Sequence, residues 1–132
     1  MNRLRFLKLW SLAVGTMDAC TGLMLVVDPG LTLRLMSVPA VGTEALPFLS
    51  WMGVFIAGIG LSYALVLRGD REGQTVWIFT SLVRLLVALF LTVKILSGSL
   101  STAWVLVAAT DAVVAAVQLI VIRAGWWRGA GS

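Results

Sequence analysis

The stretch of sequence that most clearly decides the fold is residues 76–96, VWIFTSLVRLLVALFLTVKIL. Its length is close to the ~20 residues with which a helix crosses a bilayer core of ~30 Å. Its only charged residues are Arg84 and Lys94. The apolar residues form a continuous run, without the strict alternation of a membrane-barrel strand. The stretch therefore predicts a transmembrane helix.

Three further stretches have the same length and character, and they cover residues 6–27, 48–67 and 103–122. The breaks between the four stretches contain turn residues or charges: the first begins Asp28-Pro29-Gly30, the second is RGDREG at 68–73, and the third is SGSLST at 97–102. The third break is short enough to force an antiparallel pair of helices. We therefore predict an all-α fold, a four-helix transmembrane bundle that forms a single domain over residues 1–132.

The composition of the 132-residue chain agrees with a membrane location. Hydrophobic residues make up 60% of it and charged residues 12%, whereas soluble proteins carry about 25% charged residues. The mean hydropathy is +1.01. So few charges cannot cover a surface that faces water, which excludes a soluble enzyme, a secreted disulfide scaffold and a disordered tail.

The chain contains no histidine, and Cys20 is its only cysteine. Zinc sites, iron–sulfur clusters and most haem sites need more His or Cys ligands than this, so we expect no metal and no cofactor. The net charge of +4 comes from ten dispersed basic residues. Because they form no patch, we expect no nucleic-acid partner.

The basic residues instead predict the orientation in the membrane. Seven lie near span ends on one side: Arg3, Arg5, Lys8, Arg68, Arg71, Arg123 and Arg128. Only Arg34 lies on the other side. Since cytoplasmic loops carry the excess of Lys and Arg, both termini should be cytoplasmic. The six tryptophans fall at span ends, where aromatic belts form: Trp10, Trp51, Trp77, Trp104, Trp126 and Trp127.

The loop between the first two spans predicts a short interfacial helix over about residues 29–37. Asp28 suits the N-cap and Pro29 the first helical position. The leucines that follow, with Arg34 among them, are typical of a helix lying in the membrane interface. We interpret this helix as a connector, with a lid over a binding site as the alternative.

Three charged residues lie near the middle of the spans, Asp18 in the first, Arg84 in the third and Asp111 in the fourth. At the helical rise, each is within roughly 3 Å of its own span's midpoint. One isolated charge at that depth costs about 2.5–3.5 kcal/mol. We therefore predict that the three side chains face inward and pair with one another.

Small and polar residues recur at helical spacing around these charges, as expected where membrane helices pack closely. The four predicted inward stripes are Ser11, Gly15, Asp18 and Gly22; Gly53, Ala57 and Gly60; Trp77, Ser81, Arg84 and Ala88; and Trp104, Ala108, Asp111, Ala115 and Gln118. The predicted ligand-binding residues are Asp18, Arg84, Asp111, Gln118, Ser81, Trp104 and Tyr63.

The central cluster has four interpretations: an ion-pair network that fixes helix register, a site for a small molecule or lipid headgroup, a step in proton or ion movement, and catalysis. In the catalytic interpretation Asp18 and Asp111 divide the acid and base roles beside Arg84, as paired carboxylates do when their environments separate their pKa values.

Several segments resemble small four-span bacterial integral-membrane proteins of unknown function. They are residues 47–63, PFLSWMGVFIAGIGLSY, residues 81–85, SLVRL, and Thr110-Asp111. The resemblance covers most of the chain. It implies the four-helix fold and a bacterial inner membrane, and it implies no activity.

The sequence as a whole favours a non-enzymatic integral membrane protein. It would act as an accessory subunit of a membrane complex, or bind a small apolar or lipid-like ligand at the Asp18/Arg84/Asp111 cluster. The expected partners are the lipid bilayer and a membrane protein or a second copy of this chain. The alternative is a membrane-embedded enzyme of the isomerase or cyclase type.

Overall fold

The computed structural model describes residues 2–128, and within that range all regular structure is helical. Positions 1 and 129–132 of the predicted domain lie outside the described residues. The α-helices are α1 (Arg3–Val27), α2 (Pro29–Leu35), α3 (Leu46–Ser62), α4 (Asp70–Leu96) and α5 (Val105–Arg123). Short 3₁₀ segments cover Thr43–Ala45, Tyr63–Leu67 and Thr102–Trp104.

Four helical segments are long and apolar enough to cross a membrane, and they coincide with the four predicted spans. They are Arg3–Val27, Thr43–Leu67, Asp70–Leu96 and Thr102–Arg123. The predicted all-α class, with four helices long and apolar enough to span a membrane, is thereby confirmed for the described residues. The chain has the architecture of a multi-pass membrane protein.

The chain divides into two compact units, Met1–Leu67 and Arg68–Ser132. In the first unit α1 packs along α3, with α2 between them in the chain. In the second unit α4 packs along α5. The single domain over residues 1–132 stays a prediction.

The start of α4 differs from the sequence-based expectation. The helix begins at Asp70, whereas the apolar run begins at Val76. Asp70 and Glu72 lie in its first turn, where the helix dipole favours negative charge. Residues 70–73 of the charged stretch therefore form the first turn of the helix, and Arg68 and Gly69 precede it.

Helix α2 confirms the predicted short helix in the first loop. The side chain of Asp28 accepts a hydrogen bond from the backbone N–H of Leu31 at 3.0 Å, and Pro29 is the first helical residue. The helix ends at Leu35 instead of Ser37, because Ser37 has a left-handed φ of 58° that breaks the helical run. Thr32 and Leu33 are buried.

Glycines form the contact between α1 and α3. A methyl group at Gly60 would overlap the backbone of α1, with only 2.6 Å to the carbonyl oxygen of Gly15. At the other end, a methyl group at Gly22 would lie 2.5 Å from the carbonyl oxygen of Gly53. The two helix backbones therefore touch directly, which explains the small-residue stripes predicted on both spans.

Two tryptophans assigned to the aromatic belts lie inside the second unit. The burial of Trp77 agrees with its place in the predicted inward stripe of the third span, whereas that of Trp127 was not predicted. Trp77 is fully buried and Trp127 nearly so. Their rings meet edge to face, with 5.3 Å between the centroids, a favourable geometry for aromatic pairs. Trp51, in contrast, is exposed in the manner of a lipid-facing side chain.

Candidate functional site: an ion pair, a polar seam and an apolar groove

The central feature of the second unit is an ion pair between α4 and α5. Nη1 of Arg84 donates a hydrogen bond to Oδ1 of Asp111 at 2.5 Å. The two side chains are 6% and 16% exposed. Desolvated charges of this kind require a close partner, and the short turn after α4 places α5 antiparallel to supply it. The predicted pairing of Arg84 with Asp111 is thus present.

A second polar contact lies seven residues after Asp111 on α5 and three to seven residues before Arg84 on α4. Nε2 of Gln118 donates to Oγ of Ser81 at 2.9 Å, to Oγ1 of Thr80 at 3.2 Å and to the carbonyl oxygen of Trp77 at 3.2 Å. Gln118, Thr80 and Ser81 are fully buried. With the ion pair, these contacts form what we call the polar seam: Arg84, Asp111, Ser81, Thr80 and Gln118.

Thr80 is the member of the polar seam that the sequence analysis missed. It lies one residue before Ser81 and so falls beside the predicted stripe. Its hydroxyl donates to the carbonyl oxygen of Val76 at 2.8 Å, a bond by which a helical threonine satisfies its own donor. The hydroxyl oxygen then accepts from Gln118. The sequence does contain a signal for Thr80: it is adjacent to Ser81 of one predicted inward stripe, and the stripe of the neighbouring helix contains Gln118.

Asp18 belongs to the first unit, where α1 carries it on a buried face. Asp18 is 8% exposed, and the other members of its predicted stripe, Ser11, Gly15 and Gly22, are also buried. The inward orientation of that stripe is confirmed. The meeting of Asp18 with Arg84 stays a prediction.

The remaining predicted residues are Tyr63, in the first unit, and Trp104, in the second. Tyr63 is the first residue of the 3₁₀ segment after α3 and is buried. It packs beside Gly15, where a methyl group would lie 2.8 Å from the Tyr63 Cβ. Trp104 is half-buried at the end of the 3₁₀ segment before α5, about two helical turns from Asp111.

An apolar groove of about 530 Å³ runs along the contact between α4 and α5. Its lining residues are Leu85, Ala88, Leu89, Thr92, Ile95, Leu96, Val105, Ala108, Ala109 and Ala112. Ala88 and Ala108 are buried, and they form its floor. Ala88 follows Arg84 by one helical turn, and Ala108 precedes Asp111 by one turn, so one end of the groove lies beside the ion pair. We call this the α4–α5 groove.

The described residues contain no group of three His, Cys, Asp or Glu side chains that could hold a metal ion. The polar groups of the polar seam are a guanidinium, a carboxylate, an amide and hydroxyls. These groups can orient the polar end of a ligand by hydrogen bonds.

No protein-family model matches this chain, and neither does any curated protein or solved structure. Function is therefore inferred from the chain's own residues.

Proposed function

We propose that the protein binds a small apolar or lipid-like molecule in the α4–α5 groove, with the polar end of the molecule at the Arg84–Asp111 ion pair. The observation that carries the proposal is the position of this groove. Its apolar length, on the order of 16 Å from Leu85 to Leu96 at the helical rise, ends beside a charged pair. An amphiphile has the same division between an apolar body and a polar end.

The Asp111 carboxylate is the group best placed to meet such a ligand. Its side chain is 16% exposed, whereas that of Arg84 is 6% exposed. Asp111 has one oxygen on the guanidinium, and a carboxylate can accept several hydrogen bonds. A ligand hydroxyl, amide or ammonium could donate to Asp111 while the ion pair stays intact. Mostly apolar walls with few polar groups are typical of ligand sites.

The accessory-subunit function is the competing proposal. Its support is the small share of the chain outside the four apolar segments, which leaves little surface for action in water. A partner would then contact the exposed apolar faces of the helices.

The enzymatic alternative needs both carboxylates, Asp18 and Asp111, as acid and base. Asp111 is already paired with Arg84, and Asp18 lies in the other unit of the chain.

Purification of the full chain in a mild detergent, followed by native mass spectrometry, tests the proposal. We expect a bound small molecule or lipid in the wild type. Ala112→Leu should reduce the bound fraction several-fold, because Ala112 is exposed and lines the groove. Ala116→Leu, one turn further along α5 and outside the groove, is the matched control and should retain the ligand.

Other results of that experiment would count against the binder. A polypeptide at fixed stoichiometry without a small molecule would favour the accessory subunit. Equal ligand loss in Ala112→Leu and Ala116→Leu would show that the groove is not the site. Turnover of an apolar substrate that disappears in both Asp18→Asn and Asp111→Asn would favour the enzyme.

We further propose that the protein lies in a bacterial inner membrane with both termini in the cytoplasm and α2 in the opposite interface. The support for the orientation is the seven-to-one distribution of basic residues near span ends, and the bacterial inner membrane is what the resemblance to small four-span bacterial proteins implies. Reporters fused at either terminus should stay cytoplasmic, and a reporter inserted at Thr43 should be exported. Export of a terminal reporter would overturn this orientation.

A further inference from the structure

We propose that the first unit holds an anionic phospholipid in a groove between α1 and the 3₁₀ segment Tyr63–Leu67, with the lipid phosphate at Lys8. We call it the α1 groove. It has a volume of about 190 Å³ and lies in a different unit from the α4–α5 groove. This lipid site is therefore independent of the proposed function.

The α1 groove exists because of the local structure at the end of α3. Gly15 and Gly60 line it at the point where the backbones of α1 and α3 are in direct contact. The chain then passes from α-helix to 3₁₀ helix at Tyr63, and a 3₁₀ helix is narrower and rises faster per residue. The helix diameter therefore decreases where the groove opens.

The α1 groove is mainly apolar, and the cation Lys8 lies at its end nearest the start of α1. Its polar lining residues are Lys8, Ser11, Thr16 and Tyr63, and its apolar walls include Leu12, Leu61, Ala64 and Leu67. The Lys8 side chain is exposed. A long flexible ammonium side chain near a helix end can reach the headgroup level while its methylenes stay on apolar surface.

The charge of this region selects an anionic lipid. Arg5 is also exposed, and it lies three residues before Lys8, so the two cations share one face of α1. A basic residue near the surface attracts anionic lipids by about 1 kcal/mol. The apolar walls next to Lys8 fit an acyl chain, which distinguishes a phospholipid from a free phosphate ion.

Native mass spectrometry of the full chain with added phosphatidylglycerol, phosphatidylcholine of the same acyl chains, or inorganic phosphate tests the site. Lys8→Gln should weaken phosphatidylglycerol binding about fivefold, the ratio that corresponds to ~1 kcal/mol per cation. Phosphatidylcholine binding should hardly change. Lys94→Gln, at the last turn of α4, is the charge control and should bind phosphatidylglycerol as the wild type does.

A second pair of variants tests the acyl-chain contact. Ala64→Leu fills the groove and should reduce binding of both phospholipids several-fold. Ala13→Leu, an exposed position on α1 outside the groove, should leave both unchanged. The site is refuted if Lys8→Gln affects both phospholipids equally, or if Ala64→Leu and Ala13→Leu behave alike. Displacement of phosphatidylglycerol by inorganic phosphate at equal concentration would show an anion site without lipid selectivity and would also overturn the proposal.

Discussion

Replacing Arg84 by leucine should destabilise the protein by about 3–5 kcal/mol, the effect expected when one partner of a buried ion pair is removed. The Asp111 carboxylate would lose the guanidinium at 2.5 Å while staying largely buried. Unfolding in detergent or bilayers, followed by loss of helix signal, measures the difference from wild type.

Two comparisons make the Arg84 result specific. Arg71→Leu removes an exposed arginine from the first turn of the same helix and should change stability by less than about 1 kcal/mol. The double variant Arg84→Leu/Asp111→Leu removes both charges and should recover most of the lost stability. A wild-type stability for Arg84→Leu alone would show that the ion pair contributes nothing to folding.

The double variant also separates the structural and binding roles of the pair. If the pair only fixes helix register, Arg84→Leu/Asp111→Leu should fold and retain any ligand found in the α4–α5 groove. Recovery of folding with loss of the ligand would favour the proposed binding function. Both readouts come from the same purified sample.

A single methyl group at Gly60 should destabilise the first unit by about 1–3 kcal/mol or more, the usual range for overpacking. In Gly60→Ala the new Cβ would overlap the backbone of α1 at Ala19 and lie 2.6 Å from the carbonyl oxygen of Gly15. Backbone atoms cannot turn aside as a flexible side chain can, so the helices would have to separate. Thermal unfolding of the detergent-solubilised protein is the measurement.

Gly58→Ala is the matched control on the same helix. A methyl group there meets nothing within 4 Å, and alanine has the better helix propensity by about 1 kcal/mol. We therefore expect Gly58→Ala to be neutral or slightly stabilising. Equal destabilisation by Gly58→Ala and Gly60→Ala would show that the effect at Gly60 does not come from its close contact with α1.

The spans and their buried faces could be predicted from the sequence because both follow from strong energetic constraints. A run of about 20 apolar residues has few alternatives to a membrane helix. An arginine such as Arg84 inside the span needs a carboxylate such as Asp111. The glycines of the first two spans likewise indicated close packing before their contacts were known.

The burial of Trp127 could not be predicted, because hydropathy does not distinguish a protein interior from lipid; for Trp77, only its helical spacing with Ser81 and Arg84 indicated a buried position. A tryptophan at a span end fits either environment.

The α4–α5 groove could not be predicted from the sequence for another reason. It depends on how closely α4 and α5 pack around Ala88 and Ala108, and helical periodicity alone does not determine that distance.

The glycine contacts between α1 and α3 also determine the register in which these two helices pack. Gly15 and Gly22 are seven residues apart, and so are Gly53 and Gly60. If one helix slid past the other by seven residues, about 10 Å, one glycine would still meet a glycine, but the other two would face bulkier side chains. Other shifts would lose both matches. The first unit can therefore adopt its register as soon as α1 and α3 are both in the bilayer. That register fixes the position of Asp18 along α3.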